Sequence, residues 1–398
     1  MSVTHVGGVT LPPPRTPLLY TGGFWLACLV HLTGAMSLSL YILLPLFLRE
    51  LGAGDGEIGL ALGIGAGASV AARPSVGRLL DRVGRRPVLL GAGVLNVLSW
   101  LPFLAVERFG PWVVLWMVIH SVAWGALFAA FFTLAADLAP PSRRAEGLAV
   151  FGLFGIAANG LAPVVGEAIA ARLGFGAFFW TAVGFGVAST ALTALLRLPA
   201  AEPVGGAAGG MLAAAHAPGL PRVLAATLLL GVAINAAWFF VAPFTRDLGL
   251  ERAGPFFAAY SVASVAIRLF GRRALDVLGP HRVSTPAFLA YAAGLTGLVL
   301  LPAPGVLLAC GIACGIGHGT LFPVLSALAV SRAPAGRQGA AVSLQTAAFD
   351  LGAVLGTPLC GLAAEAFGWR VMFAATSAAC LAGMALVATD PRRPRAGR

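Results

Sequence analysis

The chain contains no lysine, although it has 398 residues and a formal net charge of +11. All 26 of its basic residues, histidine aside, are therefore arginine. A P-loop nucleotide site needs a lysine at the phosphates, and a Schiff base to retinal or pyridoxal phosphate needs a lysine amine. The sequence therefore excludes both an ATPase with its own Walker site and a protein with a lysine-bound cofactor.

Charged residues of any kind are also scarce. They make up 10% of the chain, whereas hydrophobic residues make up 59%. About a quarter of a soluble domain is charged, and so apolar a surface would aggregate in water. The composition predicts a polytopic membrane protein with the lipid bilayer as its surroundings. The arginines occur in pairs beside apolar runs, which is typical of membrane topology signals, so we expect no nucleic-acid partner.

The five cysteines all lie within apolar runs and show no metal-ligand spacing. We therefore expect no metal and no cofactor. No H-E-x-x-H or G-x-S-x-G sequence is present, which argues against an intramembrane enzyme.

Apolar stretches of about 20 residues recur between short arginine-containing breaks, which is the length that a bilayer requires. They predict an all-α membrane protein with twelve helices, at 23–47, 57–79, 87–106, 111–136, 147–171, 175–196, 222–244, 254–273, 283–302, 304–330, 338–364 and 369–388. The longest break is rich in alanine, glycine and proline. It predicts an N-terminal bundle (1–198), a cytoplasmic linker (199–221) and a C-terminal bundle (222–398).

The two predicted bundles repeat one another. Arg73, Asp81 and Gly84 recur 195 residues later as Arg268, Asp276 and Gly279, and Pro163 recurs as Pro358. Repeats of six parallel helices are typical of one transporter architecture. With both termini in the cytoplasm, 20 of the 26 arginines fall on the cytoplasmic side, as the positive-inside rule requires.

The segment Gly77-Arg78-Leu79-Leu80-Asp81-Arg82-Val83-Gly84-Arg85-Arg86 resembles the signature loop of the major facilitator superfamily. The end of the fourth helix, from Ala136 to Arg144, resembles bacterial twelve-helix efflux permeases of that superfamily. The resemblance implies two pseudo-symmetric six-helix bundles in the inner membrane. It also implies a secondary transporter that acts by alternating access on a small molecule.

The signature segment predicts a conformational latch on the cytoplasmic side. Gly77 permits close helix contact, Asp81 can lie at a helix N-terminus, and Arg85 can bridge Asp81 and Asp137 as a forked donor. The alternative is that the arginines of this segment only determine topology. In the fifth helix, Pro163 with small neighbours predicts a kinked, closely packed helix that partly resembles an antiporter motif.

The resemblance implies that helices one, four, seven and ten line the substrate path. Their unusual polar and aromatic residues are the candidates for the substrate cavity: His31, Tyr41, His120, Trp124, Asn235, Trp238 and His318. Each histidine could instead be a buried residue bonded to a backbone carbonyl. The few carboxamides and acids favour an amphipathic or drug-like solute over a sugar.

Asp350 is the one acid that the predicted helices place near the bilayer midplane. Such groups often mark proton paths, so Asp350 is the candidate for proton coupling. With no arginine expected at its depth, the candidates for a partner are His31, His120 and His318. The alternative is a protonated side chain with a packing role. The sequence thus predicts a monomeric, proton-coupled efflux transporter, with an importer or facilitator of a small polar nutrient as the other possibility.

Overall fold

The computed structural model describes residues 5–6, 9–10, 18–196, 216–250, 252–271, 277–300, 303–334 and 337–390. Two short strands, β1 (His5–Val6) and β2 (Val9–Thr10), pair antiparallel. Everything else of regular structure in these ranges is helical, so the predicted all-α membrane fold is confirmed.

Twelve helical segments follow one another through the described residues. They are α1 (Gly22–Glu50), α2 (Asp55–Val83), α3 (Arg85–Leu104), α4 (Pro111–Leu138), α5 (144–173), α6 (175–195), α7 (Leu220–Asp247), α8 (Gly254–Phe270), α9 (Pro280–Leu300), α10 (Pro304–Arg332), α11 (Gln338–Phe367) and α12 (Trp369–Ala388). Gly174, with φ of 79°, separates α5 from α6. A residue with a side chain rarely adopts this backbone conformation.

Helix α2 extends further than the sequence predicted. It continues to Val83 and is capped by Gly84, which has φ of 85°. Gly77 and Asp81 therefore lie on the last turns of a helix and not in a loop. The predicted end at residue 79 was wrong because hydropathy falls where arginines begin, although arginine is a good helix former.

The internal repeat appears in the backbone as pairs of glycines with positive φ. Gly84 corresponds to Gly279, and Gly174 corresponds to Gly368, at separations of 195 and 194 residues. Each glycine lies at the same kind of junction between two helices in its half. The predicted linker lies outside the described residues from 199 to 215, and α7 already begins at Leu220.

The two halves, α1–α6 and α7–α12, meet along two pairs of helices. Helix α2 packs against α11, and α5 packs against α8. A Cβ atom at Gly59 would lie 2.5 Å from the carbonyl oxygen of Thr357, and one at Gly63 would lie 2.7 Å from Pro358 Cδ. Small residues allow this approach, as is common between membrane helices.

Candidate functional site: the cavity and the contacts between the halves

The helices divide the molecule into two sides. We call the end where α1 begins and α12 ends the terminal side, and the end where α1 passes into α2 the distal side. A small cavity of about 10 Å³, with room for about one water molecule, lies between them in this conformation. Its lining residues come from α1, α4, α5 and α7: Leu38, Ser39, Tyr41, Ile42, Trp124, Asn159, Trp238 and Phe239. The lining is mostly aromatic and aliphatic, and the hydroxyl of Ser39 donates to Asn159 Oδ1 at 2.7 Å.

Three of the predicted cavity residues line this space, namely Tyr41, Trp124 and Trp238. Ser39, Asn159 and Phe239 were not among the candidates. Asn159 lies on α5, which the resemblance did not include among the lining helices. Its signal was available, since it is the only asparagine in that predicted span.

Two predicted cavity residues lie instead in the packing of the first half. The ring of His31 stacks on Phe151 with centroids 4.3 Å apart, and its Nδ1 is 3.1 Å from the Phe151 carbonyl oxygen. His120 is fully buried, stacks on Tyr41 at 4.4 Å and bonds Ser99 Oγ at 3.0 Å. Neither histidine lines the cavity in this conformation, and hydropathy does not show which face of a uniformly apolar helix turns inward.

The second half places its candidates differently. Asn235 is buried and donates to the Gly231 carbonyl oxygen of its own helix at 2.8 Å. His318 lies on α10, and its Nδ1 bonds the hydroxyl of Tyr260 on α8. Its ring is 5.7 Å from that of Trp238, which lines the cavity. Tyr260 was not predicted and joins α8 to the site.

Asp350 forms an ion pair with Arg73 of α2. The expectation that no arginine lies at its depth was therefore wrong, as was the expectation of a histidine partner. Arg73 is ten residues from the terminal end of α2 and Asp350 is twelve from that of α11. At about 1.5 Å per residue these positions are about 15 and 18 Å deep. The pair therefore crosses between the halves inside the helical bundle.

In the signature segment, the structure pairs Arg85 with Asp137, with Nε and Oδ2 2.7 Å apart. Arg85 is buried, whereas Asp81 is exposed and no ion pair links it to the described residues. A Cβ atom at Gly77 would have no neighbour within 4 Å. Both members of the ion pair belong to the first half. The predicted bridge to Asp81 and the close contact at Gly77 are thus not formed in this conformation.

Ion pairs join the halves on the distal side. Arg49 of α1 contacts Asp247 of α7 through two hydrogen bonds of 2.7 and 2.9 Å, and it contacts Asp55 through two of 2.9 Å. Arg246 pairs with Glu50 at 3.0 Å. Trp369 donates its indole N–H to Asp247 at 2.7 Å, which holds the carboxylate towards Arg49.

Two further carboxylates bind helix N-termini across the same boundary. Glu167 of α5 accepts hydrogen bonds from the backbone N–H groups of Ala253 and Gly254, both at 2.7 Å. Glu365 of α11 accepts one from Gly56 at 2.7 Å. The unpaired N–H groups and the dipole of a helix N-terminus favour an anion at this position. The distal side is therefore sealed by polar contacts in both pseudo-symmetric positions.

The terminal side lacks such links between described residues of the two halves. There, Arg143 pairs with Glu146 at 2.7 Å within the first half. Within the second half, Arg332 pairs with Asp390 at 2.7 Å. The polar contacts described at this end thus hold each half together separately.

Pro163 is buried in α5, near the boundary with α8. A Cβ atom at Gly160, one turn earlier, would lie 3.0 Å from the Phe257 carbonyl oxygen. Close packing of this part of α5 is therefore observed beside the proline.

The comparison with known families agrees with this architecture. The sequence profile of the Major Facilitator Superfamily matches residues 24–304 and 223–398. The chain belongs to the Major Facilitator Superfamily. This superfamily member is consequently a multi-pass membrane transport protein.

Relatives and solved structures support the same placement. An uncharacterised MFS-type transporter of Burkholderia mallei (strain SAVP1) is 27% identical over 362 residues, which cover 86% of this chain and 85% of the relative. Among solved structures, the nucleoside transporter NupG is 14% identical with a TM-score of 0.77, covering 92% of this superfamily member and 99% of that chain. The human organic anion transporter MFSD10 is 16% identical with a TM-score of 0.67, covering 92% and 100%. At these identities the structures show the shared fold.

Proposed function

We propose that this superfamily member is a monomeric secondary active transporter that exports a small amphipathic or drug-like solute by proton-coupled alternating access. The observation that carries the proposal is the asymmetry of the polar contacts between the halves. Apart from the Arg73–Asp350 pair within the bundle, they lie at the distal end, while those described at the terminal end stay within one half. Ion pairs in partly exposed positions are weak and exchangeable, which suits a seal that must open in each cycle.

The cavity supports the choice of solute. Tyr41, Trp124, Trp238 and Phe239 present ring surfaces, and Ser39 and Asn159 supply the polar groups. Once the halves move apart and the space widens, such a lining would bind an apolar body and orient it through few hydrogen bonds. A sugar would leave most of its hydroxyl groups without partners in this space.

Proton coupling is proposed for Asp350 together with Arg73. A buried carboxylate is ionised at little cost while an arginine lies beside it, and it favours the protonated form once that arginine moves away. Because the pair joins α2 to α11, any motion of one half relative to the other changes the separation of the two groups. Asp350 would then take up a proton in one conformation and release it in the other.

We further propose an orientation with the terminal side in the cytoplasm of a bacterial inner membrane. The arginine distribution supports this orientation. Arg73 and Arg268 lie within helices, which lowers the number of cytoplasmic arginines by only two, from the 20 counted in the sequence. In this orientation the side joined by ion pairs between the halves faces the periplasm, so the described conformation is the inward-facing one. Asp81, Arg85 and Asp137 would then latch the terminal side when the transporter faces outward.

Cells that express the chain test the proposal directly. We expect them to grow at higher concentrations of amphipathic toxic compounds than cells with an empty vector, and we expect a proton uncoupler to remove the advantage. Greater sensitivity of the expressing cells would contradict export and favour import. Resistance that survives the uncoupler would contradict proton coupling.

A further inference from the structure

One partly buried arginine, on the last turn of α8, has no counter-ion among the described residues. Arg268 lies on α8, and its Nε is buried without a hydrogen-bond partner. No ion pair or hydrogen bond from described residues reaches its guanidinium group. An unpaired charge in a membrane protein interior is costly, so such a residue generally serves a ligand or an ion path.

The internal repeat shows why the partner is missing. Arg268 is the repeat counterpart of Arg73, which pairs with Asp350 across the α2–α11 boundary. The corresponding boundary for Arg268 is that between α8 and α5. The residue that corresponds to Asp350 on α5, 195 positions earlier, is Gly155. A Cβ atom there would lie 2.9 Å from the ring of His31, so the site has no room for an acid.

The described acids of the second half are engaged elsewhere. Each of its four described carboxylates has a partner, and these are Asp247 with Arg49, Asp350 with Arg73, Glu365 with Gly56, and Asp390 with Arg332. On α5, Glu167 is held by the N-terminus of α8. Among the described residues, no carboxylate forms an ion pair with Arg268.

Arg268 also lies close to residues that reach the cavity. Arg268 follows Tyr260 by eight residues, about two turns of the same helix. Tyr260 bonds His318, and His318 approaches Trp238, which lines the cavity. A helical side chain points back towards the N-terminus of its helix, so Arg268 on α8 extends towards Tyr260. The series Arg268, Tyr260, His318 and Trp238 thus joins a forked cation to hydrogen-bonding groups and an aromatic wall.

We propose that Arg268 binds an oxyanion group of the transported solute, which is therefore an amphipathic organic anion. The guanidinium fork matches the two oxygens of a carboxylate or the oxygens of a sulfonate or phosphate. Tyr260 and His318 orient the group, and Trp238 covers the apolar body of the solute. This proposal rests on the proposed transport function, because it assumes that the cavity is the transport site.

The binding test uses the purified full-length protein and three probes of the same shape: 2-naphthoate, 2-naphthamide and 2-(aminomethyl)naphthalene. Calorimetric titration measures the affinity of each for wild type, Arg268→Gln, Arg268→Lys and the control Arg172→Gln, which removes an exposed arginine of α5. We expect Arg268→Gln to weaken naphthoate binding about tenfold or more and to leave naphthamide binding unchanged. Arg268→Lys should retain part of the affinity, and Arg172→Gln should retain all of it.

Stability in the absence of a probe separates a binding role from a structural one. If Arg268 has no counter-ion in the free protein, Arg268→Gln should melt at the same temperature as wild type or higher. A clear fall in melting temperature would overturn the proposal, because it would reveal a structural partner. Equal affinity of wild type and Arg268→Gln for naphthoate would also overturn it.

Counterflow in proteoliposomes distinguishes this proposal from the transport function on which it rests. Uptake of naphthoate by the wild-type protein supports both the anion site and the transport function. Uptake of the amine or the amide without naphthoate would contradict only the anion proposal. Tight, Arg268-dependent naphthoate binding without uptake of any probe would contradict the transport function and leave the anion site in place.

Discussion

Substitution of Arg49 by glutamine should open the distal side. Arg49 makes two hydrogen bonds to Asp247 of the other half, and its guanidinium group lies 5.3 Å from the ring centroid of Trp369. The Arg49 and Asp247 side chains are 23% and 42% exposed, so solvent weakens the ion pair to about 0.2–1 kcal/mol. The cation–π contact adds about 0.5–1 kcal/mol at an exposed site. The total, about 0.7–2 kcal/mol, corresponds to a shift of about threefold to thirtyfold towards the open distal side.

Spin labels on the distal face measure this shift. The five native cysteines are buried and should not react, so labels can be placed at Arg108→Cys in the first half and Arg370→Cys in the second, both of which are exposed positions. Pulsed electron-spin measurements should give one short distance for the otherwise unchanged protein. With Arg49→Gln, a second population at a longer distance should appear.

The exposed Arg172 supplies the control, since Arg172→Gln removes the same charge from the distal face without breaking a contact between the halves. This variant should keep the short distance. If Arg49→Gln gives the same single short distance, the distal seal depends on apolar packing and the reasoning from its ion pairs is refuted.

Three further predictions concern the latch, the orientation and the helix packing. Asp81→Asn and Arg85→Ala should each impair transport while the protein still reaches the membrane. The control Arg82→Ala should transport normally. If Asp81→Asn and Arg85→Ala transport at the wild-type rate, the segment only determines topology. A green fluorescent reporter fused after Arg398 should fluoresce, because it folds in the cytoplasm; a reporter that is active only in the periplasm would reverse the orientation. Gly59→Ala should lower the free energy of unfolding by about 1–3 kcal/mol, because the new methyl group meets the Thr357 carbonyl oxygen. Thermal melts measure this effect. The control Gly91→Ala should leave the melting temperature unchanged, because a Cβ atom there has no neighbour within 4 Å.

The sequence predicted the helices and the repeat because both depend on local patterns. Apolar runs of bilayer length require helices whatever their neighbours are. Repeated glycines such as Gly84 and Gly279 mark the same backbone turn in each half.

The contacts between helices were harder to predict. Arg73 was one of the 20 arginines counted as cytoplasmic, because the predicted helix ended at residue 79. Helix α2 continues to Val83, which places Arg73 deeper, at about the depth of Asp350. The faces of α1 and α4 could not be read from hydropathy, so His31 and His120 were assigned to the cavity although they pack within the first half. Tyr260 and Arg268 were missed because α8 was not considered a lining helix.

The most direct test of proton-coupled transport is made on Asp350 in proteoliposomes. Asp350→Asn alone leaves the charge of Arg73 unpaired, so Arg73→Gln with Asp350→Asn is the variant that keeps the boundary neutral. Glu107→Gln, at an exposed position between α3 and α4, is the control. We expect the double variant to lose solute movement driven by an imposed pH gradient and to retain solute exchange without a gradient. Gradient-driven transport at the wild-type rate would contradict the role of Asp350, and equal loss of both activities would show that the pair only holds α2 against α11.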